Sequence, residues 1–237
     1  MTACTGPATR PSLPLTLTSW GHSAVTVEAD GAGRLVIDPG SLCDPHVMDG
    51  LTGDDAVLVT HAHPDHLVPE RVVAALVAHP GLGLWAPRAV VDELVGLAHE
   101  ACVDPARLHT VAAGDAFSAA GHTVLVVGGE HAEIHPDLPG LANVGYVVDG
   151  ALLHPGDSFP QLPDDVTPRI LLLPVAAPWL RLAVAVDYAR QLGSEVVVPV
   201  HDAILSAPGQ GIVDNLVGSV LAVAGYRRLA VGDATTL

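Results

Sequence analysis

The chain has 237 residues, 49% of them hydrophobic, and a formal net charge of −16 at pH 7 that arises from ten arginines, no lysine and 26 acidic residues. So acidic a surface repels phosphate backbones, which argues against a nucleic acid as substrate, and no apolar run is long enough for a membrane span. Three widely spaced cysteines (Cys4, Cys43 and Cys102) and the lack of a basic, apolar N-terminal segment predict reduced thiols in a cytoplasmic protein.

We expect a single domain over residues 1–237, in which residues 1–14 form a loose leader rich in Thr, Pro and Ser. Alternating apolar residues in 15–20, 24–28 and 34–37 then predict three antiparallel strands. His22 occupies the first turn, where it either lines a site or serves the turn itself. Asp38 ends the third strand and is predicted to orient an imidazole ligand from behind.

The segment Thr60-His61-Ala62-His63-Pro64-Asp65-His66 follows the apolar run 56–59 and precedes a predicted helix over 69–78. His61 and His63 are two residues apart, so in an extended chain they point the same way and can hold one ion. Asp65 and His66 follow the turn at Pro64 and can face a second ion beside the first. Imidazole and carboxylate ligands of this kind suit zinc or manganese, so the segment predicts a metal site.

A strand at 82–86 and a helix at 88–99 continue the βα rhythm of a layered α/β domain. Strands are predicted again at 110–113 and from 121, with His122 at a solvated hairpin tip. His131 follows an apolar strand and two glycines, and is the predicted third imidazole for the first ion. His135 is a competing ligand, but Pro136 disfavours the helix that such a pairing needs, so we predict that His135 lines the substrate pocket as a proton donor.

Residues 143–148 and 151–154 predict a hairpin across Asp149-Gly150. Asp157 then comes directly after a strand end, where one carboxylate can bridge two cations, although a turn or capping role is the alternative. After a strand at 170–174 and a helix at 179–192, the strand 195–200 delivers His201 to the second ion. Asp202 either orients His201 or faces water. The chain closes with a predicted helix at 212–223 and an edge strand at 226–231.

The segment 60–66 resembles the HxHxDH signature of the metallo-β-lactamase fold superfamily, and the later His, Asp and His follow that pattern along nearly the whole chain. Trp20-Gly21-His22-Ser23 and Ile37-Asp38-Pro39 look like the opening strands of its small metal-dependent hydrolase branch, which includes ascorbate-phosphate lactonase relatives. The resemblance implies an α/β fold, a four-layer αββα sandwich of two mixed β-sheets flanked by helices. It also implies that one ion is held by His61, His63 and His131, the other by Asp65, His66 and His201, with Asp157 bridging.

These features predict a binuclear hydrolase with two divalent ions, zinc first and manganese or iron as alternatives. A metal-bridging hydroxide, oriented by Asp65, would attack a small ester, lactone or phosphoester, and His22 or His135 would protonate the leaving group. The absence of lysine argues against β-lactam hydrolysis, and the scarcity of arginine favours carboxylic over phosphate esters. A non-catalytic metal-binding or sensing protein and an iron-dependent redox protein are the rival functions, and the sequence leaves a homo-oligomer open.

Overall fold

The computed structural model describes residues 14–236, so nearly all of the predicted leader and Cys4 lie outside the described residues. Cys43 is buried, Cys102 is exposed, and both are free thiols. The four α-helices within this range are α1 (Pro69–Ala78), α2 (Arg88–Glu100), α3 (Leu182–Leu192) and α4 (Ala207–Asp214), and α4 continues into a π-helical turn over Asn215–Val220. The thirteen strands in the same range are β1 (Leu15–Ser19), β2 (Val25–Ala29), β3 (Leu35–Ile37), β4 (Ala56–Leu58), β5 (Gly83–Ala86), β6 (Leu108–Thr110), β7 (Ala116–Ala119), β8 (His122–Glu130), β9 (Ala142–Val148), β10 (Leu152–His154), β11 (Ile170–Pro174), β12 (Val196–Val200) and β13 (Ala234–Thr236).

The strands form two mixed sheets that pack face to face. One sheet has the order β13-β1-β2-β3-β4-β5-β6 and the other the order β12-β11-β10-β9-β8-β7. In the first sheet, β1, β2 and β3 are antiparallel, as predicted, whereas β3 to β6 run parallel. Parallel neighbours need crossover connections: a loop with a short 3₁₀ helix (Pro45–Met48) joins β3 to β4, and α1 and α2 supply the other two on one outer face.

Residue alternation along each central strand builds three separate apolar cores. In β4, Ala56 and Leu58 face the core between the sheets, while Val57 packs with α1 and α2 on the outer side. In β11, Leu172 likewise faces inward and Leu171 packs against α3. Because such strands are covered on both faces, every position is apolar and no polar alternation is visible in the sequence. The predicted αββα sandwich of two mixed sheets is therefore confirmed.

The boundaries of several elements differ from the prediction. The residues 226–231 make only one isolated bridge, between Tyr226 and Val197, and the edge strand is β13 instead, paired with β1. The strand expected at 110–113 ends at Thr110, because the chain turns at 112–115. The last helix begins five residues earlier than the predicted start at 212, because Ser206 caps it by accepting a hydrogen bond from Gly209 N. None of the described helices is long and apolar enough to cross a membrane.

His122 is buried, with 1% of its surface exposed, so the prediction of a solvated hairpin tip is wrong. The hairpin at Asp149-Gly150 is present, with positive φ at both residues, and it brings the Asp149 carboxylate within 2.7 Å of His122 Nδ1. His122 Nε2 donates to Gly33 O at 3.0 Å, in the connection between β2 and β3 of the other sheet. The histidine therefore joins the two sheets at the start of β8, the end of that strand away from His131.

We expect Asp149→Asn to lower the free energy of unfolding by about 1–3 kcal/mol near neutral pH, through loss of hydrogen bonds to a charged group. Burial raises the pKa of Asp149, but hydrogen bonds from His122 and Thr123 lower it overall. A depressed folded-state pKa stabilises the protein above the unfolded pKa of about 4, so the difference between the two proteins should vanish as the pH falls through the folded pKa.

Urea denaturation at a series of pH values measures this effect. The matched control is Asp49→Asn, because Asp49 pairs with His46 at a similar 2.8 Å but both side chains are more than 70% exposed. The control should change stability much less, because solvent screens an exposed pair. Equal losses of stability in both variants would contradict the role given to the pair of His122 and Asp149.

Candidate metal centre

Four chain segments that each follow a strand meet at one edge of the sandwich. They carry His61 after β4, His131 after β8, Asp157 after β10 and His201 after β12. Asp157 Oδ2 lies 3.4 Å from His131 Nε2, 3.0 Å from His201 Nε2 and 4.0 Å from His61 Nε2. Residues separated by as many as 140 positions are thus brought within a few ångströms of one carboxylate, as the sequence predicts.

The first cluster consists of His61, His63, His131 and Asp157, each of which offers one ligand atom within 4.8 Å of the others. His61 Nε2 and His63 Nδ1 are 3.0 Å apart. Two atoms that bind the same zinc ion at about 2.0–2.1 Å with tetrahedral geometry lie about 3.3 Å from each other. The spacing therefore fits ligands that share one ion.

The second cluster consists of His22, Asp65, His66 and His201, again with ligand atoms within 4.8 Å of one another. Asp65 Oδ2 lies 3.4 Å from His201 Nε2 and 4.0 Å from His66 Nε2. Asp157 Oδ1 is 3.2 Å from His66 Nε2, so Asp157 contacts members of both clusters. All seven residues predicted as ligands are brought together, and their roles as ligands stay predictions.

Three imidazoles point unpartnered nitrogens into the site. Nδ1 of His66 donates to Asp38 Oδ2 at 2.7 Å, and Nδ1 of His131 and of His201 donate to backbone carbonyls at 2.6 Å. Their Nε2 atoms and Asp157 Oδ1 are buried and have no hydrogen-bond partner among residues 14–236. Buried polar atoms are nearly always paired, and an imidazole fixed through Nδ1–H presents Nε2 as a metal ligand. The donor set therefore fits divalent metal ions.

His22 has the opposite orientation. Its Nδ1 accepts a hydrogen bond from Ala203 N at 3.3 Å, so its Nε2 carries the hydrogen and donates to Asp65 Oδ2 at 2.9 Å. Of the two roles left open by the sequence, His22 thus lines the site. Through this hydrogen bond, His22 holds the Asp65 carboxylate in place.

Asp38 lies behind the ligands and has no exposed surface. It accepts hydrogen bonds from His66, from Thr60 N at 2.8 Å and from Thr60 Oγ1 at 2.7 Å. Because the Thr60 hydroxyl donates to Asp38, it accepts from His61 Nδ1 at 3.0 Å and leaves His61 Nε2 free to face the site. Asp38 thus makes the imidazole contact that the prediction requires, and its role in orienting a metal ligand stays a prediction.

The electrostatics of the site favour bound positive charge. Burial raises the pKa of Asp157, but the neighbouring imidazoles of His66, His131 and His201 lower it far below its usual range. Burial lowers the pKa of His66, but Asp38 and Asp157 raise it to about 10 overall, and the nearby carboxylates of Asp157 and Asp65 raise that of His201 to about 9 against the same effect of burial. Where carboxylates converge in this way, either protons or metal cations must balance them.

The backbone at the site is unusually tight. His22, Asp38 and His201 all have positive φ angles, which are uncommon outside glycine and are found where a site requires them. A Cβ at Gly156 would lie 2.2 Å from Asn143 Oδ1, and one at Gly40 would lie 1.9 Å from Asp65 O. Only glycine lets these loops approach the ligand residues so closely.

Two residues that hold Asp157 were not predicted. Asn143 is fully buried in β9, where its Oδ1 accepts from Asp157 N at 2.9 Å and its Nδ2 donates to Pro155 O at 3.1 Å. Trp179 Nε1 donates to Asp157 Oδ2 at 2.9 Å. A polar residue within the apolar run 142–148 was a signal for Asn143, whereas nothing near Trp179 in the sequence marks it.

His135 is exposed and lies outside both clusters. It lines a cavity of about 770 Å³ whose wall also includes His63 and His131 of the first cluster. Its Nδ1 accepts from Asp137 N at 3.1 Å, so Nε2 carries the hydrogen. The structure thus places His135 in a pocket wall rather than among the clustered groups. Asp202, left open by the sequence, pairs with Arg228, which also binds Asp214.

Comparison with known proteins agrees with this arrangement. The model of the beta-lactamase superfamily domain matches residues 16–201. Protein Rv0786c of Mycobacterium tuberculosis is 37% identical over 83% of this chain and 88% of its own length. A UPF0173 metal-dependent hydrolase of Myxococcus xanthus is 27% identical over 93% of this chain and 82% of its own length. The metallo-beta-lactamase fold protein YhfI of Bacillus subtilis superimposes with a TM-score of 0.70, covering 94% of this chain and 99% of that one, at 15% identity.

Proposed function

Since the chain belongs to the metallo-β-lactamase superfamily, we propose that it is a binuclear metal-dependent hydrolase of small carboxylic esters or lactones. The observation that carries the proposal is the set of buried, partnerless atoms: Nε2 of His66, His131 and His201, and Oδ1 of Asp157. The relation to a metal-dependent hydrolase of Myxococcus xanthus supports it.

We assign one ion to His61, His63 and His131, the other to Asp65, His66 and His201, and both to Asp157. Five imidazoles and two carboxylates favour zinc. When bound, two such ions supply a water of lowered pKa and polarise the substrate carbonyl.

The protein's own groups would position the reaction. The Asp65 side chain is 25% exposed, whereas that of Asp157, the other carboxylate in the clusters, is only 3% exposed. His22 holds Asp65 Oδ2, so Asp65 is placed to accept a hydrogen bond from the attacking water. The water oxygen forms a bond to the acyl carbon, the ester C–O bond breaks, and the water's proton is returned to the leaving oxygen. The proton would pass from the water to the leaving oxygen through Asp65, and His135 Nε2–H, at the wall of the cavity beside His63, is the group we assign to donate a hydrogen bond to that oxygen.

The test is to titrate chelator-stripped protein with zinc, and to assay lactones, thioesters and phosphodiesters. We expect two ions per chain and turnover of lactones or simple esters. One ion per chain would overturn the binuclear assignment, and two ions without turnover of any substrate would favour a metal-binding or sensing protein.

Trp179 offers a signal of metal binding that does not depend on activity. An ion on Asp157 changes the charge next to the indole N–H, so we expect the fluorescence to change as zinc binds. Trp179→Phe keeps Trp20 and Trp85, and should lose the fluorescence change while still binding zinc. An equal signal in this variant would contradict the assignment of an ion to Asp157.

A further inference from the structure

We propose that the cavity beside the metal centre selects substrates whose non-reacting part is apolar and neutral or cationic, and discriminates against anionic ones. This inference rests on the proposed function and specifies its substrate class. The cavity, of about 770 Å³, is formed by residues 129–135 and 138–142 together with His63. It is large enough for a small ester with a substantial tail.

The position of the cavity links it to the chemistry. His63 and His131 belong to the first cluster and also line the cavity, and His131 Nε2 is one of the buried atoms without a partner. A molecule that fills the cavity therefore ends beside the proposed ions. Its reacting carbonyl would lie at that end and its tail along the segment 132–142.

The charges of the cavity wall have one sign. Glu130 and Glu133 line it, and none of the arginines within residues 14–236 does, in a chain without lysine. A phosphate or carboxylate tail would meet two carboxylates and no basic side chain, whereas recognition of such groups usually relies on arginine. A cationic tail would instead be attracted by both glutamates.

The rest of the wall is apolar. Ile134 and Leu138 line the cavity and are large hydrophobic residues that remain 40% and 54% exposed. Leu141 and Pro139 complete this part of the wall. Apolar side chains next to a reactive centre gain stability when a substrate's alkyl groups cover them, so the tail should carry methyl or methylene groups.

Three isosteric acetate esters test the proposal on the zinc-loaded protein: a trimethylammonium-ethyl ester, its neutral 3,3-dimethylbutyl counterpart and a sulfonate-tailed ester. We expect kcat/KM for the cationic ester to exceed that for the anionic one by on the order of tenfold at low salt, because two carboxylates act through water at short range. Added salt should shrink the ratio.

The variant Glu130→Gln/Glu133→Gln should bring the ratio of cationic to anionic ester to within about twofold of one. The matched control, Glu93→Gln/Glu100→Gln, removes the same charge from exposed positions on α2 and should leave the ratio unchanged. Calorimetric dissociation constants of the corresponding non-hydrolysable ethers provide a readout that needs no turnover. The cationic ether should bind more tightly than the anionic one.

The outcomes separate the two proposals. Ester hydrolysis without charge preference, or a ratio that the glutamate variant does not change, overturns the cavity assignment and leaves the hydrolase intact. Charge-ordered ether binding without hydrolysis of any ester supports the cavity assignment and overturns the proposed function. Preference for the anionic tail overturns the inference outright.

Discussion

Replacing Asp157 with Asn is expected to lower kcat/KM by about a thousandfold or more, since two shared ions contribute several kcal/mol to transition-state stabilisation. Asp157 contacts ligand groups of both clusters, at 3.0 Å from His201 Nε2 and 3.2 Å from His66 Nε2. Asn keeps the shape of the side chain but removes the negative charge. We therefore expect the zinc content to fall from two ions per chain to about one or fewer.

Elemental analysis and steady-state kinetics on the same preparations measure the two effects together, with circular dichroism to show that the variant is folded. Asp164→Asn, at an exposed position that belongs to neither cluster, is the matched control and should behave as wild type. An Asp157→Asn protein that keeps two ions, or keeps activity within tenfold of wild type, would remove the basis for a bridging carboxylate.

The second large effect is expected for Asp38→Asn, which should weaken zinc binding by about 10–100-fold, the usual range for a group that orients a ligand imidazole. Asp38 is fully buried and accepts the hydrogen bond from His66 Nδ1 at 2.7 Å. Its φ of 53° is one that Asn also tolerates, so the substitution tests the charge and not the backbone. Because no ligand is lost, excess zinc should restore most of the activity.

Competition with a zinc chelator gives the affinity, and activity against zinc concentration gives the rescue. Asp55→Asn is the matched control, because Asp55 is also a buried carboxylate that accepts backbone hydrogen bonds, from Arg34 N and Thr52 N. It should lower stability without changing zinc affinity. If the two variants lose zinc affinity equally, the effect of Asp38 is structural rather than specific to His66.

Much of the centre can be read from the sequence because the signals are local. His61, His63, Asp65 and His66 lie within six residues, so a single local turn is enough to bring their side chains near one another. The other three predicted ligands each follow a strongly apolar segment, which marks a buried strand. Polar side chains at strand ends that share one edge of a sandwich converge, and the structure brings them together.

The hydrogen-bonding partners of these groups could not be predicted, because they come from elements that are distant in the sequence. Trp179 reaches Asp157 from the loop before α3, and Asn143 reaches it from a neighbouring strand. His22 resembles the other site histidines in sequence, yet Ala203 N fixes its hydrogen on the nitrogen that faces Asp65. No periodicity encodes such pairings, because each is set by how two loops approach each other.

The chemical types of the seven predicted ligands can be read from the residues alone, because ligand spacing is a property of short segments, whereas the two-sheet architecture came from the resemblance to a known family. The burial of His122, the pairing of β13 with β1, and the acidic and apolar wall beside the metal centre became visible only in the folded structure. These features arise from packing between residues far apart in the chain, and packing energy depends on three-dimensional neighbours that no local pattern specifies.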